Sequence, residues 1–315
     1  MPPIDRRTLL RGGLTAAASV GAGRALHNTV IGYGQFGLGK NLRTQDLASI
    51  AVERLTLPRH FATTIDGDDV AIRRGSIRYR RDGDWHPVDG DAPAPVETFA
   101  ADVAAIRDGD VTFTFHDPDA FFDRLRDERP RPPVVALLRA RAPTPADPDR
   151  VASVTDVDPT DGEGLVRGLT EAFRDHSYYD VPRYVAGSVQ DNLLFGSMNL
   201  RAPFRPTVSF EALDDADDAI GLFCTEYVRL VNRAIVSVPA SEQTPPLVGL
   251  TVRNRRHKHV FNAVASAIHA DGLEIPMTFV DYTYSTLYDD FKLTGVLGEG
   301  LNAYGTRHRA DRIQW

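Results

Sequence analysis

A single cysteine, Cys224, occurs in 315 residues. That excludes an internal disulfide framework and any Cys-rich metal cluster, so stability has to come from packing. Lysine is almost missing as well: Lys40, Lys258 and Lys292 are the only three among 36 basic residues, and the rest are arginine. Acidic side chains outnumber basic ones, for a formal charge of -7. Such a balance argues against binding to a phosphate backbone, and no nucleic-acid partner is expected. No apolar run is long enough and free enough of glycine to predict an integral membrane span in the mature chain. Internal repeats and low-complexity tracts are lacking too. What is present is a globular composition, 42% hydrophobic and 25% charged, in a chain long enough to bury a full core as one large domain or two modest ones.

The first 25 residues, MPPIDRRTLLRGGLTAAASVGAGRA, place Arg6 and Arg7 ahead of Leu9 and Leu10 and an Ala/Gly-rich run. This resembles a twin-arginine export signal and implies that residues 1–26 are a signal segment and that the folded protein is exported or held at the cell surface. An ordinary frayed N-terminus is the alternative. No cysteine follows the run, which excludes a lipoprotein anchor. An unpaired cysteine in an exported protein points either to pairing between molecules or to a reactive thiol.

The hydrophobic periodicity predicts an α+β fold. Residues 41–55 carry a helical stripe (Leu42, Leu47, Ile50, Ala51, Leu55), and 68–90 alternate around Asp-Gly turns as two or three short antiparallel strands. A mixed α/β stretch follows, with helices at 97–107 and 119–128 and strands at 111–115 and 134–138. The Pro/Asp-rich segment 142–150 then reads as a linker, dividing an N-terminal mixed α/β region (27–145) from a second domain (146–315). Beyond it the pattern gives helices at 161–176, 182–196 and 224–236 and strands at 247–252, 259–268 and 276–283.

Three motifs invite a ligand and lack the context for one. Gly32, Gly34 and Gly37 in VIGYGQFG match a dinucleotide fingerprint, but no βαβ series follows. The acidic loop DVDPTDGEG (156–164) departs from calcium-loop spacing at Thr160 and has no closing Glu. The basic run RNRRHKH (253–259) reads as a local charged loop. No cofactor and no metal ion are expected.

Cys224 opens the segment CTEYVRLVNRAI. Val228, Val231 and Ile235 follow at i+4, i+7 and i+11, so the thiol falls in the first turn of an amphipathic helix, on the stripe facing the sheet. There it is either a small buried hydrophobe or a nucleophile whose thiolate is stabilised by the helix N-terminus and an imidazolium partner. A nucleophile needs a base within reach, and the base needs an acceptor that fixes its tautomer. His259 opens the strand HVFNAVASAI, and Asp281 lies in FVDYT on the next strand. A two-residue turn at Asp271-Gly272 would pair residues whose numbers sum to 543, whereas His259 and Asp281 sum to an even number. Their placement on one face therefore requires a bulge or a loop of three or five residues. His257, of the same strand parity, is the fallback base.

At these residues the chain resembles the transglutaminase-like superfamily of papain-like cysteine enzymes. CTEYVRLVNRA (224–234) is similar to the family's nucleophile helix, HVFNAV (259–264) to its His-x-Trp-x-x-Val strand, and VDYTYS (280–285) to its Val-Asp-Pro-Thr segment. The resemblance spans about 221–285. It implies a nucleophile helix packed on an antiparallel sheet, with Cys224 as nucleophile, His259 as base and Asp281 as orienting acid. Phe261 stands where the family has Trp and Tyr282 where it has Pro. The oxyanion hole would use the backbone N–H of Cys224 and an upstream side chain, for which Gln190 is the candidate.

The expected function is that of a thiol hydrolase or peptidase acting on a peptide or protein substrate through an acyl thioester, with hydrolysis favoured over cross-linking. The alternative is a non-catalytic surface or binding protein that keeps the fold, with Cys224 packed and inert.

Overall fold

The computed structural model describes residues 40–73, 75–134, 136, 143–180, 183, 208–255, 259–283 and 308–315. The first elements are α1 (Leu47–Val52) and a meander of β1 (His60–Ile65), β2 (Asp68–Arg73), β3 (Ser76–Arg81) and β4 (Asp84–Pro87). Then come α2 (Ala94–Asp108), β5 (Val111–His116), α3 (Pro118–Asp127), α4 (Pro148–Thr155) and α5 (Gly162–His176). They are followed by β6 (Ser177–Tyr179), α6 (Phe210–Asp215), β7 (Ile220–Leu222) and α7 (Cys224–Ile235). The chain then forms β8 (Val248–Asn254), β9 (His259–Ala265), β10 (Ile268–His269), β11 (Leu273–Val280) and β12 (Arg312–Gln314).

The architecture is mixed α+β. β1 to β4 form an antiparallel four-stranded sheet in sequence order, and β6 pairs with β7. The central sheet runs β10-β11-β9-β8-β12, and β5 pairs with β11 in parallel from Leu273↔Val111 to Thr278↔His116. This sheet therefore draws strands from both sides of residue 145. Arg124 of α3 reinforces the junction by donating to Glu274 at 2.8 Å, and Thr114 donates to the same carboxylate at 2.7 Å.

Both faces of the central sheet are covered. On one, Val264 and Val280 join the core formed with Tyr227, Leu230, Val231 and Ala234 of α7 and with α5. On the other, Phe261, Ala263, Ala265, Met277 and Phe279 pack with Leu42, Leu47, Ala51, Ala310 and Ile313. Burial on both sides explains why β11 is apolar almost without alternation: all eight of its residues are buried.

Several expectations need correction. The strand expected over 276–283 runs Leu273–Val280, so Asp281 follows β11 instead of lying on it, and the expected linker 142–150 already contains the start of α4 at Pro148. The helix expected over 41–55 is confined to Leu47–Val52. Asp46 caps it by accepting from Ser49 N at 3.1 Å, while Asn41 and Thr44 close a turn upstream. The strand expected over 134–138 is not formed: Val134 and Ala136 are helical, and the other three positions lie outside the described residues. A short apolar run fits a strand or a buried helical turn equally well, and its surroundings decide.

Candidate functional site

α7 begins where β7 ends, with Phe223 as the cap residue and Cys224 as the first helical residue. Its expected stripe is buried at Val228, Val231 and Ile235, together with Tyr227, Leu230 and Ala234. Asn232 fixes the helix to the sheet by accepting from Asn262 Nδ2 of β9 at 3.0 Å. Eight residues back along α7 cover about 12 Å, and three back along β9 cover about 10 Å. Both paths run toward the same end of the sheet, which is why Cys224 and His259 meet.

The hairpin register settles the parity condition. Ile268↔Glu274 and Met277↔Ala265 through Val280↔Asn262 all pair with an even sum, because the connection is the three-residue loop 270–272. Within it Ala270 N donates to Gly272 O at 3.1 Å, and Gly272 adopts φ 155°, a backbone conformation that side chains disfavour. Continued by one residue, this register sets Asp281 opposite Phe261, with His259 diagonal to it on the same face.

His259 Nε2 lies 2.6 Å from Asp281 Oδ2. Cys224 is close enough to act on the same ring, and Nδ1, the nitrogen that Asp281 does not engage, is buried beside it. His259 and Asp281 are buried, and Cys224 is half-buried. Strict alternation assigns His259 to the Phe261 face, and its ring stacks on Phe261 at 5.9 Å. α7 covers the opposite face, so the sulfur reaches the ring at the strand's first residue, not across the sheet.

Burial works against a charged His259. The Asp281 charge and hydrogen bond, followed by those of Cys224, outweigh it and push the ring up to about 10. Burial alone would likewise favour a neutral Asp281, yet the charge and hydrogen bond of His259, then those of His308, hold the carboxyl well below its ordinary range. Its other oxygen, Oδ1, accepts from Thr283 N at 3.1 Å. The site is thus built to keep a carboxylate and an imidazolium side by side.

Two groups escaped the sequence reading. His308, just before β12, places its Nε2 2.6 Å from the same Asp281 Oδ2. It stands among arginines in TRHRADR, and nothing in that context separates it from a solvated histidine. The second is Arg183, whose side chain is 2% exposed at the mouth of α7. Its Nε lies 3.2 Å from Asp180 and its Nη2 meets Glu226, which also accepts from Phe223 N at 2.8 Å. The guanidinium sits over the Phe223 ring at 4.1 Å. These contacts fix the turn that presents Cys224. Gly221 of β7 lets Asp180 approach closely, since a Cβ there would lie 3.0 Å from it.

An acidic segment at 211–218 lies in α6 as far as Asp215, and its Asp214 and Asp215 are held by Arg150 of α4. Tyr282, where the resembled family has proline, is buried: its hydroxyl donates to Val166 O at 3.0 Å and its ring meets Phe173 edge-on at 5.4 Å. Gln190, His257, residues 1–26 with their expected export signal, and the glycines at 32–37 lie outside the described residues.

Among the described residues, His259, Asp281 and His308 are the side chains whose donor atoms come close enough to hold a metal ion, all within 4.8 Å. A tetrahedral ion with bonds of about 2.0–2.1 Å keeps its ligand atoms about 3.3 Å apart. The two 2.6 Å contacts are shorter than that and fit N–H···O⁻ hydrogen bonds. No helix among the described residues is long and apolar enough to cross a membrane.

Comparison with known proteins provides no relative: no family model matches the sequence, and neither a curated protein nor a solved structure is similar to it.

Proposed function

We propose that the chain is an exported thiol enzyme that attacks a peptide or amide carbonyl, holds the acyl group as a thioester on Cys224 and passes it to water. The observation that carries this reading is the convergence of Cys224, His259 and Asp281 at one end of the sheet, in the order sulfur, imidazole, carboxylate. The twin-arginine-like N-terminus supports export.

Chemically, the thiol proton already resides on His259 in a thiolate–imidazolium pair, and the thiolate sulfur adds to the carbonyl carbon. When the tetrahedral species collapses, the C–N bond breaks and His259 gives its proton to the leaving nitrogen. Water then attacks the thioester. His259 takes its proton, the acid departs, and thiolate and imidazolium stand paired again. The backbone N–H of Cys224 lies at the first helical position, where no intrahelical carbonyl can use it, and would be the donor to a developing oxyanion. Asp281 fixes the tautomer of His259 and steadies its charged form. An amine in place of water would make the same site a cross-linking one, but hydrolysis is the simpler reading for a cysteine that is only partly buried.

The second reading, a non-catalytic binding protein on the same scaffold, draws on Phe261 and Tyr282, whose rings are committed to packing. Iodoacetamide separates the two. For the enzyme, Cys224 alkylates in the folded protein near neutral pH, and His259→Ala slows the reaction by about 10²-fold or more. A thiol that stays silent until the chain is unfolded would overturn the proposal.

A further inference from the structure

Asp281 Oδ2 accepts from two rings at once. Nε2 of His259 and Nε2 of His308 each lie 2.6 Å from it, and Oδ1 is occupied by Thr283 N. All three side chains are buried, Asp281 completely. The reaction sketched above uses one of these imidazoles and gives the other nothing to do.

We infer that His308 is a positioning residue that shares Asp281 with His259, limiting how firmly the carboxylate holds the proton on His259 and so setting the pH range in which the site works. This rests on the thiol-enzyme reading. A carboxylate oxygen has lone pairs for two donors, and each N–H that engages it takes up part of its negative charge. His308 is held in place to act as such a donor. Its carbonyl accepts from Leu42 N at 2.8 Å, its ring lies 5.0 Å from Phe261, and it meets the His259 ring edge-on at 5.5 Å. The titratable groups that act on His259 are Asp281, following β11, and Cys224 on α7. β8 contributes the neutral Asn254 opposite it. The other charges at the mouth of α7, Arg183, Asp180 and Glu226, are paired with one another.

The test follows the His259 ring by NMR in protein labelled with ¹⁵N-histidine, its signal assigned by loss in His259→Ala. In His308→Phe, which removes the donor and keeps an aromatic ring, the midpoint of proton loss moves upward by about one pH unit, a tenfold change in proton affinity. In His308→Gln, which keeps an N–H directed at Oδ2, it moves by less than a third of that. If His308→Phe does not fold, His308→Asn, whose amide is too short to reach Oδ2, makes the same comparison. An unchanged midpoint in the donor-lacking variant, with Cys224 still reactive and still dependent on His259, overturns the role given to His308. A wild-type Cys224 that fails to alkylate overturns the enzyme reading instead, and the midpoints still decide whether the two imidazoles compete.

Discussion

In the β1–β4 meander every strand keeps exposed positions, although β2 buries Val70, Ala71 and Ile72, and charged side chains such as Asp69 and Arg80 face water. In the central sheet, β11 is buried along its whole length and β9 everywhere except Val260. A polar residue is unremarkable in the first sheet. In the second it loses hydration on both sides and must find a partner. His259 and Asp281 meet that demand with each other, Glu274 with Arg124 and Thr114, and Asn262 with Asn232 and Leu250 O. Glu274 lies toward the far end of β11 and is neutralised by an arginine; the end that holds His259 and Asp281 beside a helix N-terminus keeps its charge among titratable groups, and that is what marks it as a site.

The contrast between the sheets is broken most directly at its acids. Asp281→Asn leaves two imidazoles without their carboxylate and should cost about 3–5 kcal/mol, as removal of one partner from a buried pair does. Asp69→Asn, whose nearest guanidinium is 3.9 Å away in the open, should leave the urea midpoint unmoved. Equal losses in the two variants would erase the distinction.

pH sharpens it further. His259 is raised from 6.5 to about 10 in the folded chain, so its contribution is fully present below 6.5 and is lost as pH climbs through about 10. Asp281 is lowered from 3.8, so its contribution is present above 3.8 and is lost as acid titrates the folded carboxyl. Urea midpoints of the wild type should therefore fall between pH 7 and 10, and those of Asp281→Asn should change much less over that interval. A smaller loss than that of Asp281→Asn is expected at Tyr282→Phe, which deletes one buried hydrogen bond to Val166 O and should lower stability by about 1 kcal/mol.

Where one side of an element meets water, its periodicity was readable. The stripe of α7 and the span of α5 come within a residue or two of expectation because polar positions frame the apolar ones. Strands β8, β9 and β11 were readable from their length and turn residues, with ends less sharp, since burial on both faces removes the alternation. The three groups of the thiol site could be picked out by type and order. Whether His259 and Asp281 share a face depended on a loop of three residues instead of two, and Asp271-Gly272 is compatible with either. His308 was not legible at all. It reaches Asp281 only because β12 pairs with β8 and carries the preceding segment to the same end of the sheet, a long-range pairing that three residues of strand do not announce.

Leu42 N on His308 O is one of several links between the beginning and the end of the described chain. Gln45 exchanges two hydrogen bonds with the backbone of Ala310, at 2.8 and 2.9 Å, and Trp315 Nε1 donates to Ala51 O at 2.8 Å. Residues 42–51 thus act as a buckle on the last strand, and the second imidazole on Asp281 is only as steady as that fastening. Proteolytic nicking upstream of residue 52 should loosen chemistry that takes place more than 170 residues later, without touching any group that reacts.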